Sequence, residues 1–272
     1  MVSERRRAEW TERVERFARD AAPRTRPFAE ALVALVPPPV GGRVLDVATG
    51  TGLVAVEAAK RVGPEGSVLA TDFLPEWAPH VAATAADAGV TNVRFAVMGA
   101  EALDVPDASF DRVYCQFGLM FVPEPVVALR EMLRVLRPGG WLGVAVWSVP
   151  DKVGLFLIPR MVGPALPPPP GEPPPSPMSM GAPGLVAGLV AEAGFRDVDA
   201  QTVTRVHEFA DPEAEWQRWS ADLSTPDGGG LAGLPLSERR RLHDEVMAAF
   251  APFRDGAVVR VPSEAIVVTA TR

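Results

Sequence analysis

The chain has 272 residues, 47% of them hydrophobic, so it can bury the core of one α/β domain with insertions. Its net charge of −7 and isoelectric point near 5.1 argue against a nucleic-acid partner, because phosphate binding needs a basic surface. The single cysteine, Cys115, excludes an internal disulfide and a thiolate-rich zinc site, and no metal is expected.

Targeting signals are not evident in the sequence. The amino terminus has no apolar signal core, and no segment reaches the length of a membrane span. We therefore predict a cytoplasmic protein without a membrane partner. Arginine far outnumbers lysine, and alanine and proline are abundant, which is typical of a bacterial source with GC-rich DNA. The composition gives no indication of the oligomeric state.

The first half of the chain has strong hydrophobic periodicity. Two helices are predicted at 3–20, with Trp10, Val14 and Phe17 on one stripe, and at 27–36. The strands predicted next are Val44–Val47, Ser67–Thr71, Val93–Val97, Phe110–Cys115 and Trp141–Trp147. The helices predicted between them are 52–61, 75–88 (with Pro79 disturbing its first turns) and Pro125–Leu136, which ends at Arg137–Gly140. The alternation of strands and helices along this segment predicts an α/β fold with a doubly wound, mostly parallel sheet.

The second half is less regular. Residues 163–177 are proline-rich and predict a surface loop with local polyproline character. The further predicted elements are a helix at Pro183–Ala193, a strand at Val198–Phe209, helices at 211–222 and 236–250, and a closing strand at Glu264–Thr271. The two last strands would form a carboxyl-terminal pair, and the helices between them (211–250) would form an inserted cap. We expect one domain over 1–272, with lid helices at 1–36 and a ligand-binding core at 40–150.

The segment Asp46–Gly52 is the most informative motif. It joins an apolar strand to a helix through a turn with Gly50 and Gly52, and such turns bind nucleoside-bearing cofactors at the carboxyl end of a parallel strand. Gly50-x-Gly52-x-x-Ala55 also fits the dinucleotide fingerprint, with Asp72 near the spacing of a ribose-binding acid. By itself, the motif is compatible with a nicotinamide or flavin site, a nucleoside-sulfonium site or a purely structural turn.

Further motifs follow in a fixed order. They are Asp46–Gly52, Ala70–Glu76, Met98–Asp111, Phe117–Phe121 and Arg134–Gly140. As a series they resemble the class I S-adenosylmethionine-dependent methyltransferases, and most closely the small-molecule branch with the ubiquinone/menaquinone biosynthesis methyltransferases. The resemblance covers roughly residues 40–150. It implies a Rossmann-like sheet of seven strands with an antiparallel carboxyl-terminal pair, and S-adenosylmethionine as the cofactor.

The resemblance also implies roles for individual residues. Asp46 and the turn would hold the methionine part of the cofactor, Asp72 would accept from the ribose hydroxyls, and the residues after Asp72 would pack on the adenine. The cofactor-binding residues implied are Asp46, Ala48, Thr49, Gly50, Gly52, Asp72, Phe73, Leu74, Gly99, Ala100, Glu101, Cys115 and Gln116. The acceptor pocket implied comprises Phe17, Phe117, Met120, Trp147 and Trp216, under a roof formed by the amino-terminal helix and the cap.

One departure from the family pattern concerns the cofactor. Gly99 stands where relatives usually have an aspartate that accepts from the adenine amino group. The histidines have no catalytic spacing, so the catalytic group is not identified; His207 and Tyr114 are the candidates if the acceptor needs a base.

The function implied is in-line transfer of a methyl group from S-adenosylmethionine to a small, mainly apolar acceptor at oxygen, nitrogen or carbon. Proximity and orientation can supply much of the rate enhancement. Three alternatives stay open. They are a protein of this fold that binds the cofactor but catalyses a non-methylating reaction, an NAD-dependent oxidoreductase that uses the same first loop, and a protein–protein interaction module that uses the proline-rich loop.

Overall fold

The computed structural model describes residue 7 and residues 10–167, 176–223 and 229–272. The strands are β1 (Arg43–Val47), β2 (Ser67–Asp72), β3 (Val93–Val97), β4 (Phe110–Gln116), β5 (Leu136–Trp147), β6 (Arg196–Phe209), β7 (Arg254–Asp255) and β8 (Val258–Thr271). Within these described ranges, every helix is too short or too polar to cross a lipid bilayer.

The α-helices follow the same chain order. They are α1 (Val14–Arg16), α2 (Ala22–Leu35), α3 (Leu53–Val62), α4 (Ala78–Asp87), α5 (Pro125–Val135), α6 (Leu157–Val162), α7 (Leu185–Glu192), α8 (Pro212–Asp222) and α9 (Leu236–Ala249). A π-helical turn at Phe17–Ala21 joins α1 to α2.

The chain divides into two compact units. The first comprises Met1–Trp147, Ser176–Val203 and Ala265–Arg272, and the second comprises Ser148–Pro175 and Thr204–Glu264. The strands β6 and β8 each cross the division between the units. Whether the chain acts as the single domain expected from the sequence stays a prediction.

The sheet of the first unit has the order β3-β2-β1-β4-β5-β8-β6. Its first five strands pair in parallel, and β8 pairs antiparallel with β5 from Trp147↔Ala265 to Trp141↔Thr271. The central strands are apolar because the sheet is covered on both faces: Val44 and Leu45 in β1 and Val144 in β5 are fully buried. The expectation of a doubly wound, mostly parallel sheet with an antiparallel carboxyl-terminal strand is confirmed.

Several predicted boundaries differ from the structure. The amino-terminal helices are nearly continuous, with Pro27 inside α2. Pro79 does not disturb a helix interior, because a 3₁₀ turn at Pro75–Trp77 precedes α4 and puts this proline in the first turn, where no backbone donor is needed. The helix α5 ends before residues 137–140, as predicted, but these residues belong to β5. The pairing of β5 with β4 is irregular there, because Leu136 pairs with Phe110 and the next pair is Trp141 with Arg112.

The other differences lie in the second half of the chain. The helix expected at Pro183–Ala193 is shorter, at Leu185–Glu192, while the two last strands begin earlier, at Arg196 and Val258. The described residues do not include 168–175 of the predicted proline-rich loop, 3–6, 8 and 9 of the predicted first helix, or 224–228 of the predicted cap.

The second unit has its own core. Buried side chains from α6, α8, α9 and β8 form it, among them Ile158, Trp216, Val246 and Val261. The segment after β5 is tied to β8 within this unit, since Ser148 Oγ donates to Glu264 Oε1 (2.8 Å) and the Leu155 backbone N–H donates to Ser263 Oγ (2.9 Å). The strand β7 pairs with β8 at Arg254↔Val259.

Candidate functional site

The turn after β1 is shaped by residues in the left-handed backbone region. Ala48 has a φ of 55°, Gly50 of 53° and Gly52 of 84°. Gly52 also lies against Val81 of α4, so a Cβ there would approach the valine methyl carbon to 3.2 Å. Gly52 immediately precedes α3, and no side chain at Gly52 caps that helix. Backbone N–H groups at the start of a helix attract acceptors and negative charge.

Asp46 organises this turn from the end of β1. Its Oδ2 accepts from Thr49 Oγ1 (2.5 Å) and from the Ala55 backbone N–H in the first turn of α3 (3.0 Å). The side chain is 1% exposed, and this burial raises the pKa of the carboxyl to about 7. Asp46 therefore caps the helix from seven residues before its first residue, Leu53. The sequence did not indicate this contact because it depends on the tertiary turn.

Asp72 links the ends of β2 and β1. Its Oδ2 accepts from the Gly50 backbone N–H (3.1 Å) and its Oδ1 accepts from the Leu74 backbone N–H (3.3 Å). Burial raises the pKa of this carboxyl to about 6. Each carboxylate oxygen can accept two hydrogen bonds, so both Asp72 oxygens keep acceptor capacity beyond these contacts.

The two carboxylates form one electrostatic site. Repulsion from Asp72 adds to burial in raising the pKa of Asp46. Because the charged forms are held at a cost, a ligand with hydroxyl or ammonium donors would stabilise both of them. The residues present thus fit a cofactor with a ribose and an amino-acid group.

The loops after β2 and β3 complete this edge of the sheet. Leu74 is buried with Val14 and Trp77, and Phe73 packs against the same cluster. Gly99 and Ala102 form an isolated β-bridge, and Ala100 lies in the short turn between them. A Cβ added at Gly99 would meet no atom within 4 Å. Glu101 Oε1 accepts from the Glu124 backbone N–H (3.2 Å).

An aromatic cluster lies at the ends of β4 and β5. The rings of Phe117 and Trp147 stack with centroids 3.9 Å apart, and Phe28 of α2 contacts both edge-on, at 5.6 and 5.1 Å. Phe117 has a φ of 54°, unusual for a bulky residue. The sequence predicted Phe117 and Trp147 here but missed Phe28, whose position on α2 only the tertiary packing discloses.

Other predicted residues of the first unit lie near these loops. Cys115 is fully buried, and burial raises the pKa of its thiol to about 12. The thiol is therefore uncharged at neutral pH, and Cys115 contributes only packing. Met120 is buried in a 3₁₀ turn, and Phe17 contacts Trp77 edge-on at 5.8 Å. Tyr114 lies in the core, where its hydroxyl donates to the Val36 carbonyl and burial raises its pKa far above the usual value. That geometry suits packing and disfavours a role as base.

The remaining candidates belong to the second unit. Trp216 lies in its core and contacts the His243 ring edge-on at 5.3 Å. His207 is on β6, in the part that belongs to this unit, and is partly buried. The assignments of Trp216 to the acceptor pocket and of His207 as a base stay predictions.

Comparison with known proteins agrees with this geometry. A family model described as "Methyltransferase domain" matches residues 44–140, the segment that contains the three loops. An uncharacterized protein of Mycobacterium tuberculosis is 34% identical over 188 residues, which cover 69% of this chain and 66% of the relative. A ubiquinone/menaquinone biosynthesis C-methyltransferase of Azotobacter vinelandii is 43% identical over 113 residues, covering 41% of this chain and 45% of the relative.

The fold has solved counterparts as well. A SAM-dependent methyltransferase of Aquifex aeolicus superimposes with a TM-score of 0.52 at 23% identity, covering 71% of this chain and 90% of that structure. The chain belongs to the class I S-adenosylmethionine-dependent methyltransferases. This family uses S-adenosylmethionine as its methyl donor, so the nicotinamide alternative that the first loop left open is disfavoured.

The match has a limited extent. The matched segments of this chain span 66% of the mycobacterial relative and 45% of the C-methyltransferase. Within the part of the chain that the structure describes, no group of three or more His, Cys, Asp or Glu side chains could hold a metal ion.

Proposed function

We propose that this chain binds S-adenosylmethionine at the loops after β1, β2 and β3 and transfers its methyl group to a small, mainly apolar acceptor. The observation that supports this most is the pair of buried carboxylates, Asp46 and Asp72, at neighbouring strand ends. Such a pair is unfavourable in an apolar core unless donors or a positive charge accompany it. A cofactor with two ribose hydroxyls and an ammonium group supplies both.

Each loop has its own part in this binding. Asp72 would accept from the ribose hydroxyls, with its carboxylate held in place by the Gly50 and Leu74 backbone groups. Asp46 and the turn up to Gly52 would hold the amino-acid end. Phe73, Leu74 and the Gly99–Glu101 segment would line the adenine, mostly through apolar contact and backbone groups.

The chemistry needs little beyond alignment. When bound, S-adenosylmethionine supplies a methyl carbon that its positive sulfur has already activated. The protein's task is to hold the acceptor in line and to exclude water, which strengthens the electrostatic interactions that remain. The aromatic cluster of Phe28, Phe117 and Trp147 offers a dry, flat surface for this purpose.

The amino-terminal segment is suited to act as a lid. Val14 is buried against Leu74 and Trp77, Trp10 contacts Phe121 edge-on at 5.0 Å, and Glu15 pairs with His80 (3.1 Å). The segment thereby bridges the loops that follow β2 and β4. We propose that it covers the cofactor and opens at the π-helical turn Phe17–Ala21, a geometry that often marks functional positions in helices.

The atom that receives the methyl group stays open. The family model covers residues 44–140, and the acceptor-facing Phe28 and Trp147 lie outside that range. The name of the Azotobacter relative, a C-methyltransferase, therefore favours carbon only through a match to under half of that protein. A non-methylating reaction on the same fold is the alternative.

Calorimetry with S-adenosylhomocysteine and NAD tests the cofactor proposal. We expect a saturable heat with S-adenosylhomocysteine and none with NAD; the reverse would refute it. Incubation of the cofactor with candidate acceptors then separates the two reaction classes. Release of S-adenosylhomocysteine in proportion to a methylated product supports transfer, whereas product formation with the cofactor unconsumed supports the alternative.

A further inference from the structure

We infer that Gln116 binds the methyl acceptor, through its side-chain carbonyl, and selects flat molecules that present an O–H or N–H donor. This inference rests on the proposed function, because it places the acceptor at the aromatic cluster. The family resemblance implies that Gln116 binds the cofactor and lies beside the sulfonium and the substrate; the inference adds which atom of Gln116 contacts the acceptor and which acceptors that atom selects.

The orientation of the Gln116 amide is fixed. Its Nε2 donates to the Thr25 carbonyl of α2 (3.4 Å). The flipped amide would set Oε1 against that carbonyl, with two acceptors facing each other. The amide nitrogen is therefore directed at α2, and the amide oxygen is the end available to another group.

The oxygen has no use within the protein. Oε1 is buried, and among the described residues it has no hydrogen-bond partner. Buried acceptors without a partner are rare in folded proteins, and one at the carboxyl end of a central parallel strand lies where ligands of such sheets bind. A donor on a bound molecule would satisfy it once neighbouring side chains move aside.

The surroundings of Gln116 indicate a flat ligand. Gln116 pairs with Ala145 in the sheet, so it shares a face with Trp147, two residues further along β5. Phe28 lies three residues after Thr25 on α2, on the same side of that helix. The Phe117–Trp147 stack thus lies beside the amide, and planar rings prefer to stack on such faces.

The test uses a pair of probes, 2-naphthol and 2-methoxynaphthalene, in which a methyl group replaces the hydrogen of the O–H donor. Their affinities are measured by calorimetry with S-adenosylhomocysteine at saturation. For the wild type we expect naphthol to bind about ten-fold more tightly, since one hydrogen bond to a buried acceptor discriminates by roughly that factor. Gln116→Met, which keeps an unbranched side chain of similar length but has no amide acceptor, should abolish the preference.

Thermal unfolding distinguishes this role from a structural one. Gln116→Met removes the long hydrogen bond to the Thr25 carbonyl but also the buried unsatisfied acceptor. Because an unsatisfied buried acceptor costs more than such a bond contributes, the melting temperature of the ligand-free protein should stay the same or rise. A lower melting temperature with the naphthol preference intact would overturn the inference. So would equal affinities in the wild type, or no binding of either probe by a protein that binds S-adenosylhomocysteine. Failure to bind S-adenosylhomocysteine would instead refute the proposed function on which the inference rests.

Discussion

Replacement of Asp72 by alanine should separate cofactor binding from folding. In the free protein the carboxylate accepts from the Gly50 and Leu74 N–H groups, and loss of these contacts costs about 2 kcal/mol at about 1 kcal/mol each. Burial raises the carboxyl pKa from 3.8 to about 6 even with these hydrogen bonds in place, so the charged carboxylate is held at a net cost at neutral pH. Removal of that charge offsets the loss of the contacts, and we expect little change in the free energy of unfolding.

Cofactor affinity should respond very differently. Hydrogen bonds to a charged acceptor contribute about 1.5–3 kcal/mol, so Asp72→Ala should weaken S-adenosylhomocysteine binding by about ten- to a hundred-fold. Calorimetry and urea unfolding of the same preparations measure the two effects. Asp111→Ala is the matched control: Asp111 also accepts a backbone N–H, from Arg43 (2.7 Å), and it pairs with Arg137, but it stands at the start of β4.

The control should lose stability and keep its affinity, the reverse of Asp72→Ala. Unchanged affinity in Asp72→Ala, with stability also unchanged, would mean that Asp72 does not contact the cofactor. A loss of affinity matched by an equal loss of stability would mean that the residue acts through the fold.

Three further predictions concern the same site. Gly99→Asp should tighten S-adenosylhomocysteine binding by a few-fold, because the site has room for a side chain and one added acceptor contributes about 0.5–1.5 kcal/mol; Gly99→Ala is the control that adds bulk alone, and weaker binding by the aspartate variant would argue against it. Burial raises the pKa of Asp46 to about 7 and of Asp72 to about 6, so the free energy of unfolding of the ligand-free protein should fall as pH rises from about 4 to 7. Cofactor affinity should rise between pH 6 and 7, because the cofactor binds the charged carboxylates. Urea unfolding and calorimetry across this range measure the two trends, and a rise or fall of both together would contradict the assignment. Removal of residues 1–20 should leave the sheet folded by circular dichroism but sharply reduce methyl transfer, and near-normal turnover would leave the segment with a packing role only.

The sequence predicted what depends on local chemistry. Gly50 and Gly52 are needed for a left-handed turn. A carboxylate after an apolar strand predicts a hydrogen-bond donor or a positive charge beside it. Both features can be recognised in a short segment of sequence. The strand–helix alternation likewise predicted that the strands up to β5 run parallel to one another. The predicted positions of Asp46 and Asp72 at adjacent strand ends follow from these two facts together.

Long-range packing was not predictable in the same way. The bond from Asp46 to Ala55 and the position of Phe28 beside Trp147 both depend on how helices dock on the sheet. The lengths of β6 and β8 exceeded the prediction because pairing with neighbouring strands extends regular structure beyond the strongly apolar residues. Residues 137–140 lie in β5 as an irregularity between the pairs Leu136↔Phe110 and Trp141↔Arg112, and Gly139 keeps the left-handed backbone of a turn, with a φ of 75°.

One contact joins the cofactor loop to the aromatic cluster. The Cα of Gly118 lies so close to Ala48 that an added Cβ would stand 2.4 Å from the alanine Cβ and 3.2 Å from Cys115 Sγ. Gly118 and Ala48 are both small. Ala48 itself and Phe117, the residue before Gly118, have left-handed backbone conformations. The turn after β1 and the loop after β4 therefore approach backbone to backbone, which no larger pair of residues would permit. This contact fixes the spacing of the two loops, and we infer that it also sets the distance between the proposed cofactor and acceptor sites. In-line transfer depends on that distance because a misplacement of about 1 Å already slows such reactions strongly.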